Sequence, residues 1–403
     1  MFKPIFQWEQ RSIQPRAVAA GLKARQNLPA LGQTSLALLL LLPASALHAA
    51  TGAHLPGSTL YPRLIRLHHA PGALRNSILA KTSNKLFRSL DEGQTFTYLT
   101  SVPTANLEAG SPAPDPNAND KERCCSTIFE LPRSIGRFHA GTLLYAGSFF
   151  SDGVPAVEIY TSADAGAHWQ YLSTPARSGD QHHGLWEPEF NIAKDGSLIM
   201  FVSDETDPCC SQKLVKRQTR DLIVWTPKQD LVASQSQPDR PGMAMASHPE
   251  PDLWFLSYEI CGPVGHCAVY SRTSSDGWNF GDPSSFGTKV LTNTGQYLAH
   301  APANLYLPST RQLVLIAQML YESDDTVSPS NGTVLLTNLS PDGSGPWSTS
   351  PAPVLIPSAF DNYCPNYSSA LLPANNSRTL LELASDYDET HHCSTYFASL
   401  PLP

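Results

Sequence analysis

The chain has 403 residues, 41% hydrophobic and 15% charged, with a formal net charge of −8 at pH 7. That balance is ordinary for a globular protein with a sizeable core, and an acidic chain without basic blocks beyond its leader argues against nucleic acid as a partner. Proline is abundant at 35 residues. With Gly, Asn, Asp and Ser it recurs about every ten residues, a rhythm that suits short strands joined by turns and fits long helices poorly.

In chain order, the first element is a leader. Lys3, Arg11, Arg16, Lys23 and Arg25 precede an apolar run from Leu36 to Leu42, and small residues follow at Ala44-Ser45-Ala46 and Ala49-Ala50. Residues 1–50 read as a signal peptide with a long basic leader, cleaved near Ala46 or Ala50. The apolar run is well short of the roughly 20 residues needed to span a bilayer. The expected product is a secreted, extracellular chain with no membrane segment after cleavage. Without the first 46 residues, 22 basic residues face 34 acidic ones, a net charge of −12. Residues 51–403 read as one domain, because no Pro/Gly/Ser linker divides them. A monomer is expected.

A turn then repeats along the chain. Ser89-Leu90-Asp91-Glu92-Gly93-Gln94-Thr95-Phe96 matches Ser162-Ala163-Asp164-Ala165-Gly166-Ala167-His168-Trp169. Ser274-Ser275-Asp276-Gly277-Trp278 is a shortened copy, and Ser340-Pro341-Asp342-Gly343 with Trp347 a looser one. In each, the Asp carboxylate bonds nearby backbone N–H groups, Gly supplies the positive φ that closes a hairpin, and the aromatic packs between sheets. These aspartates are therefore structural. Strand-like runs precede the turns, at 156–161 and 266–271, with further runs upstream at 141–148, 196–203 and 252–258. Units of about 40–60 residues, each a small antiparallel sheet, indicate an all-β propeller of about six blades. The turns resemble the Asp boxes of sialidase-like propellers. Residues 102–122 and 229–240 read as long polar loops.

All eight cysteines follow the leader. In an oxidising compartment an even count favours disulfides. Cys261 with Cys267 and Cys364 with Cys393 are the expected pairs, and at least one bridge is expected between Cys124-Cys125 and Cys209-Cys210. No CxxC pair or matching His spacing occurs, so neither a metal nor another cofactor is expected. His182-His183 and His391-His392 read as ordinary loop histidines.

A propeller offers a binding site at one end of its central channel. Two glutamates have apolar or aromatic surroundings: Glu187 in Leu185-Trp186-Glu187-Pro188-Glu189-Phe190, and Glu259 in Tyr258-Glu259-Ile260-Cys261-Gly262. A buried carboxyl pair of this kind suits glycosidic bond hydrolysis, one group donating a proton and the other attacking or activating water. By local pattern alone, a Glu flanked by apolar residues at a strand end is more often a satisfied salt-bridge partner than a catalytic group. Arg63 is placed to hold a carboxylate ionised, to bind sugar hydroxyls, or simply to pair on a channel wall; Arg240 shares those readings. Trp186, Tyr258 and Tyr363 offer aromatic faces to sugar rings, or core packing.

Six blocks, in order, carry a more specific signal: Trp186-Glu187-Pro188-Glu189-Phe190, Ser203-Asp204-Glu205, Gln212-Lys213-Leu214, Arg240-Pro241-Gly242-Met243, Tyr258-Glu259-Ile260-Cys261-Gly262 and Cys364-Pro365-Asn366-Tyr367-Ser368-Ser369. Together they resemble family 93 of the glycoside hydrolases, and the likeness runs from Tyr61-Pro62-Arg63 to the last strand. The resemblance implies a six-bladed, sialidase-like β-propeller acting as a retaining exo-α-1,5-L-arabinanase, releasing arabinobiose from arabinan. It implies Glu187 as nucleophile, from a Glu-Pro motif, and Glu259 as acid/base, from a Tyr-Glu-x-Cys-Gly motif. Glu189 competes with Glu187, because residues i and i+2 of a strand share a face. The segment Gln296-Tyr297-Leu298-Ala299-His300-Ala301-Pro302 departs from the family pattern, and the adjacent cysteine pairs are peculiar to this chain and nearer relatives. A sialidase, or a non-catalytic glycan-binding propeller, is the alternative. The first would need three converging arginines and a Tyr-Glu pair.

Overall fold

The computed structural model describes residues 50–57, 59–103, 122–375 and 378–402. The leader, and residues 104–121 of the loop expected at 102–122, lie outside the described residues. The described residues form six antiparallel sheets arranged as a six-bladed β-propeller, as the sequence implied. Blade 1 is Arg63–Arg66, Ile78–Thr82, Lys85–Ser89 and Thr97–Ser101. Blade 2 is Glu122–Glu130, Leu143–Ser151, Val154–Ser162 and Gln170–Arg177. Blade 3 is Leu185–Ile192, Leu198–Asp204, Lys213–Thr219 and Gln229–Val232. The last of these corrects the expected loop at 229–240, whose first four residues pair as an outer strand.

Blade 4 is Arg240–Glu250, Leu253–Cys261, Ala268–Ser274 and Thr288–Lys289, with Tyr297–Ala299 and Met319–Tyr321 added beside its third strand. Blade 5 is Ala303–Leu307, Gln312–Ile316, Val334–Asn338 and Ser348–Pro351. Blade 6 is Ala370–Pro373, Thr379–Tyr387 and Cys393–Pro401, and its outer strand is Ala53–Leu55 from the start of the ring. Each inner strand contacts the next, and the inner strand of blade 6 contacts that of blade 1. The ring is closed.

The apolar core lies between blades. Leu144, Val157 and Ile159 of blade 2 meet Leu198, Met200 and Val202 of blade 3, and comparable clusters fill the other five interfaces. A second strand is thus covered on both faces, which is why Leu198–Asp204 is buried at every position and its first five residues, Leu198 to Val202, are all apolar.

The repeated turns join third to fourth strands. In blade 1, Ser89 Oγ accepts from Gly93 N–H (2.8 Å), and Asp91 Oδ1 accepts from Thr95 N–H (2.9 Å). Blades 2 and 4 repeat this through Asp164 and Asp276. In blade 5 the position of the leading serine is taken by Asn338, whose Oδ1 accepts from Ser340 N–H (2.8 Å). A fifth copy in blade 3 escaped the sequence reading. Asp221 Oδ1 accepts from Ile223 and Val224 N–H (2.9 and 2.8 Å), and Thr219 Oγ1 from Leu222 N–H (3.0 Å). Thr219 stands where blades 1, 2 and 4 have Ser, and Leu222, at φ 64°, where they have Gly.

The cysteines pair as Cys261–Cys267 and Cys364–Cys393, as expected, but Cys124–Cys125 and Cys209–Cys210 each close upon themselves. The expected bridge between the two adjacent pairs is therefore wrong. Cys125, on blade 2, belongs to a buried cluster shared with Met243 of blade 4, whereas Cys209 lies in an exposed hairpin of blade 3.

Candidate active site

Backbone irregularity at the inner strands builds the site. Strand Leu185–Ile192 bulges between Trp186 and Glu189, Arg240–Glu250 between Gly242 and Met245, and Glu122–Glu130 between Cys124 and Thr127. At these bulges Glu187, Met243 and Cys125 take φ of 56°, 57° and 67°; His300 and Ala301 before blade 5, and Asn366 and Ser368 before blade 6, are also left-handed. Non-glycine residues rarely adopt this conformation, and bulges re-aim side chains that would otherwise alternate. Tyr61, Cys125, Met243 and Ala301 are buried together, with Leu60, Cys124 and Tyr367 packed against them. They form an apolar floor contributed by several blades.

Glu187 and Glu259 come together at this floor. Ser203 Oγ donates to Glu187 Oε2 (2.5 Å) and accepts from Met243 N–H (3.1 Å). Gly242 pairs in register with Glu259, and a Cβ there would lie 3.5 Å from Glu187 Oε2 and 2.8 Å from Ser203 Oγ. The bare backbone of Gly242 is thus what leaves room for the glutamate and its serine. Glu259 Oε2 accepts from Ala301 N–H (2.6 Å) and lies 3.9 Å from His300 Nδ1. Its other oxygen is 3.5 Å from Cys261 Sγ.

Burial pushes the Glu187 carboxyl up to about 7, opposed by the Ser203 hydrogen bond and reinforced by the charge of Glu259. Burial likewise raises Glu259, opposed by His300, the Ala301 N–H and Arg240. The Tyr367 hydroxyl is held far above its usual range, first by burial and then by the charges of Glu259 and Glu187, so it lies within the field of both. Its O–H points to Met243 Sδ at 3.5 Å. Such a pair holds one proton more readily than none, the condition for acid–base chemistry at near-neutral pH.

Glu189 is engaged elsewhere. Arg63 Nε donates to Glu189 Oε1 (2.6 Å), as does Thr127 Oγ1 to Oε2 (2.8 Å). Arg63 also donates to Ser368 O (3.2 Å) and lies 3.7 Å over the Tyr61 ring. Of the readings open for Arg63, the structure supports the buried ion pair, and its partner is Glu189 rather than Glu187. The Arg240 guanidinium bonds Glu205 and, at 2.6 Å, Gln212 Oε1. Each of these two arginines is thus committed to a carboxylate of the protein. Trp186 is half-buried over Gly184, where a Cβ would sit 2.1 Å from the indole. Tyr363 is 54% exposed, its ring 6.2 Å from that of Tyr367.

Tyr258 is a correction. It is 0% exposed in the core between blades 3 and 4, with its hydroxyl donated to Phe286 O (2.6 Å), and no sugar can reach it. Alternation explains this: if Glu259 faces the site, its neighbour faces away.

Sequence reasoning passed over Tyr61, Ser203 and Tyr367, although all three lie in the segments that carried the family likeness. It also passed over His300, which sits in the departing segment. His300 Nε2 lies 3.3 Å from Asp361 Oδ1, and that carboxylate, with Glu259, raises the imidazole against the lowering effect of burial. Among the described residues, one group offers three metal-ligating atoms close together, Cys261, Cys267 and His300, but its two sulfurs are bonded to each other. No described helix is long and apolar enough to cross a membrane.

No family model and no curated protein matches the chain. Solved structures do. An α-L-arabinanase of Penicillium chrysogenum in complex with arabinobiose aligns at TM-score 0.66 and 24% identity, over 85% of this chain and 94% of that one. A family 93 α-L-arabinofuranosidase of Fusarium graminearum with arabinobiose aligns at TM-score 0.64 and 22% identity, over 85% and 93%. The same fungal enzyme with an iminosugar inhibitor aligns at TM-score 0.64 over 88% and 97%. The propeller fold is therefore shared with this arabinanase and this arabinofuranosidase.

Proposed function

We propose that the chain is a secreted glycoside hydrolase of family 93 that removes arabinobiose from the ends of linear α-1,5-L-arabinan with retention of configuration. The observation that carries this reading is that two carboxyls from adjacent blades, half-buried Glu187 and buried Glu259, meet on either side of Gly242, which pairs in register with Glu259 and lies against Glu187 Oε2. The shared fold with arabinobiose-bound enzymes supports the sugar. The leader and the disulfides support export.

In this mechanism ionised Glu187 attacks the anomeric carbon while Glu259 gives its proton to the departing glycosidic oxygen. The arabinobiosyl–Glu187 ester is then opened by water, whose proton returns to Glu259, and both groups regain their starting states. The Ser203 hydroxyl favours the ionised form of Glu187. His300, with Asp361 64% exposed behind it, links Glu259 to solvent, as suits a group that gives and regains a proton. Tyr367 and Tyr61 border the pair, and Trp186 and Tyr363 offer aromatic faces at the rim. Arg63 packs on the Tyr61 ring of the floor and pairs with Glu189, and the positive charge of Arg240 is felt by both glutamates.

The test is proton NMR of the first product formed from debranched arabinan. Retention and a disaccharide product are expected; the inverted anomer first, or no cleavage of arabinan, would overturn the reading. Glu187→Ala should abolish turnover in a folded protein. Glu259→Ala should keep its first step only on aryl substrates whose leaving group needs no proton.

A further inference from the structure

Blade 6 and the segment leading into it carry two aromatic rings, Phe360 and Tyr387, that the chemistry above does not use, near Tyr363 at the rim. Phe360 is 48% exposed in the segment 352–369 that leads into this blade. Its ring stacks against Tyr387 with centroids 6.4 Å apart and planes inclined by 26°, and Tyr387 lies 5.2 Å from the imidazole of His391. Tyr387 ends the second strand of blade 6, as Cys261 ends that of blade 4 just beyond Glu259. The rings therefore lie on the same face of the propeller as the two glutamates. They are also continuous with the site, because Asp361 reaches His300 and Tyr363 touches Tyr367.

The arrangement is held before any ligand arrives. Cys364–Cys393 ties the segment to the third strand, and Gln318 Nε2 donates to the Pro365 carbonyl (2.9 Å) and to that of Asn362. A contiguous exposed apolar patch points to a contact surface, and here exposed Phe360 and Tyr363 and half-buried Tyr387 are neighboured in sequence by Asp361, Asn362, Thr390 and His391. A sugar matches that profile: its C–H face stacks on rings while its hydroxyls meet polar edges. A chain of net charge −12 after its leader does not favour an anionic membrane.

We propose that Phe360, Tyr363 and Tyr387 form a binding surface for a neutral polysaccharide, holding the part of the chain that is not being cleaved. This rests on the glycosidase reading and extends it: the site would recognise a long polymer in preference to a short oligosaccharide. The experiment compares wild type with Phe360→Ala, Tyr387→Ala, the double variant and Phe360→Leu, on linear arabinan and on arabinotriose. The expected result is a KM for the polymer raised about three- to tenfold per ring removed, with kcat unchanged and arabinotriose kinetics within twofold of wild type. Phe360→Leu, which keeps apolar bulk without the ring, should fall with the alanine variant. Equal losses on both substrates would reassign the rings to structure, and no change on the polymer would also overturn the proposal. If wild type cleaves neither substrate, the glycosidase reading fails by itself. The surface is then judged by electrophoresis through gels containing soluble arabinan, galactan or xylan, where the absence of ring-dependent retardation would refute it.

Discussion

Removing the Ser203 hydroxyl offers a direct test of how Glu187 is kept ionised. Ser203→Ala deletes the donor 2.5 Å from Glu187 Oε2 and touches no other charged group. A hydrogen bond to a charged acceptor contributes about 1.5–3 kcal/mol, and one pKa unit corresponds to about 1.4 kcal/mol, so the carboxyl should rise by about one to two units. The sign follows from which form is bonded. The serine stabilises the carboxylate, its loss favours the protonated acid, and a group already near 7 moves higher. The acid limb of kcat/KM against pH should therefore shift to higher pH by that amount, with activity at pH 5 reduced about ten- to hundredfold. Met243 N–H also loses its acceptor, so thermal melts must accompany the kinetics, with about 1–3 kcal/mol of stability at stake. Ser203→Thr keeps a hydroxyl and should retain the native limb. An acid limb that stays in place in Ser203→Ala, or moves to lower pH, would refute the reasoning.

Three further outcomes are expected. Glu382 is buried in blade 6, raised to about 8 by burial, with Oε2 accepting from Val354 N–H and Oε1 without a partner among the described residues. Its folded pKa exceeds its unfolded one, so the wild type loses stability as pH rises from about 4.5 to about 8. Glu382→Gln should match wild type in melts at pH 4 and melt higher at pH 8.5. Arg63→Met leaves Glu189 buried without its cation and should cost about 3–5 kcal/mol in denaturant unfolding, whereas Arg63→Met combined with Glu189→Gln should recover part of it. Asp221→Ala removes the acceptor for two backbone N–H groups in the turn of blade 3 and should lower stability by about 1–2 kcal/mol without altering kcat.

The propeller was legible because its turns depend on local chemistry, an Asp or Ser oxygen facing nearby N–H groups, which leaves a trace in a short window of sequence. Where the residues vary the trace fades: Thr219 and Leu222 make the turn of blade 3 without the usual Ser and Gly. The site was harder to read because it is made of exceptions to alternation. Glu187 and Glu189 could not be separated by a period of two, since the bulge between Trp186 and Glu189 breaks that period where it matters. Tyr258 shows the opposite case, a regular strand in which alternation alone would have sent the tyrosine into the core. Cysteine pairing depends on distances across blades, and His300 reaches Glu259 through a left-handed turn that no spacing rule encodes.

The way the ring is sealed has a consequence for how activity is acquired. Ala53–Leu55 pairs with residues near the far end of the chain, Thr395–Phe397, and Ser385 Oγ donates to Thr59 O beside that join. Arg63, which pairs with Glu189 two residues from Glu187, also donates to Ser368 across the junction between the first and last blades. The floor of the site therefore straddles the seam. A nascent chain that has made five blades already carries both glutamates, yet lacks the neighbour that fixes the ground beneath one of them. Competence should arrive in a single step, when the last strand meets the first, so that incomplete or clipped chains are silent rather than partly active.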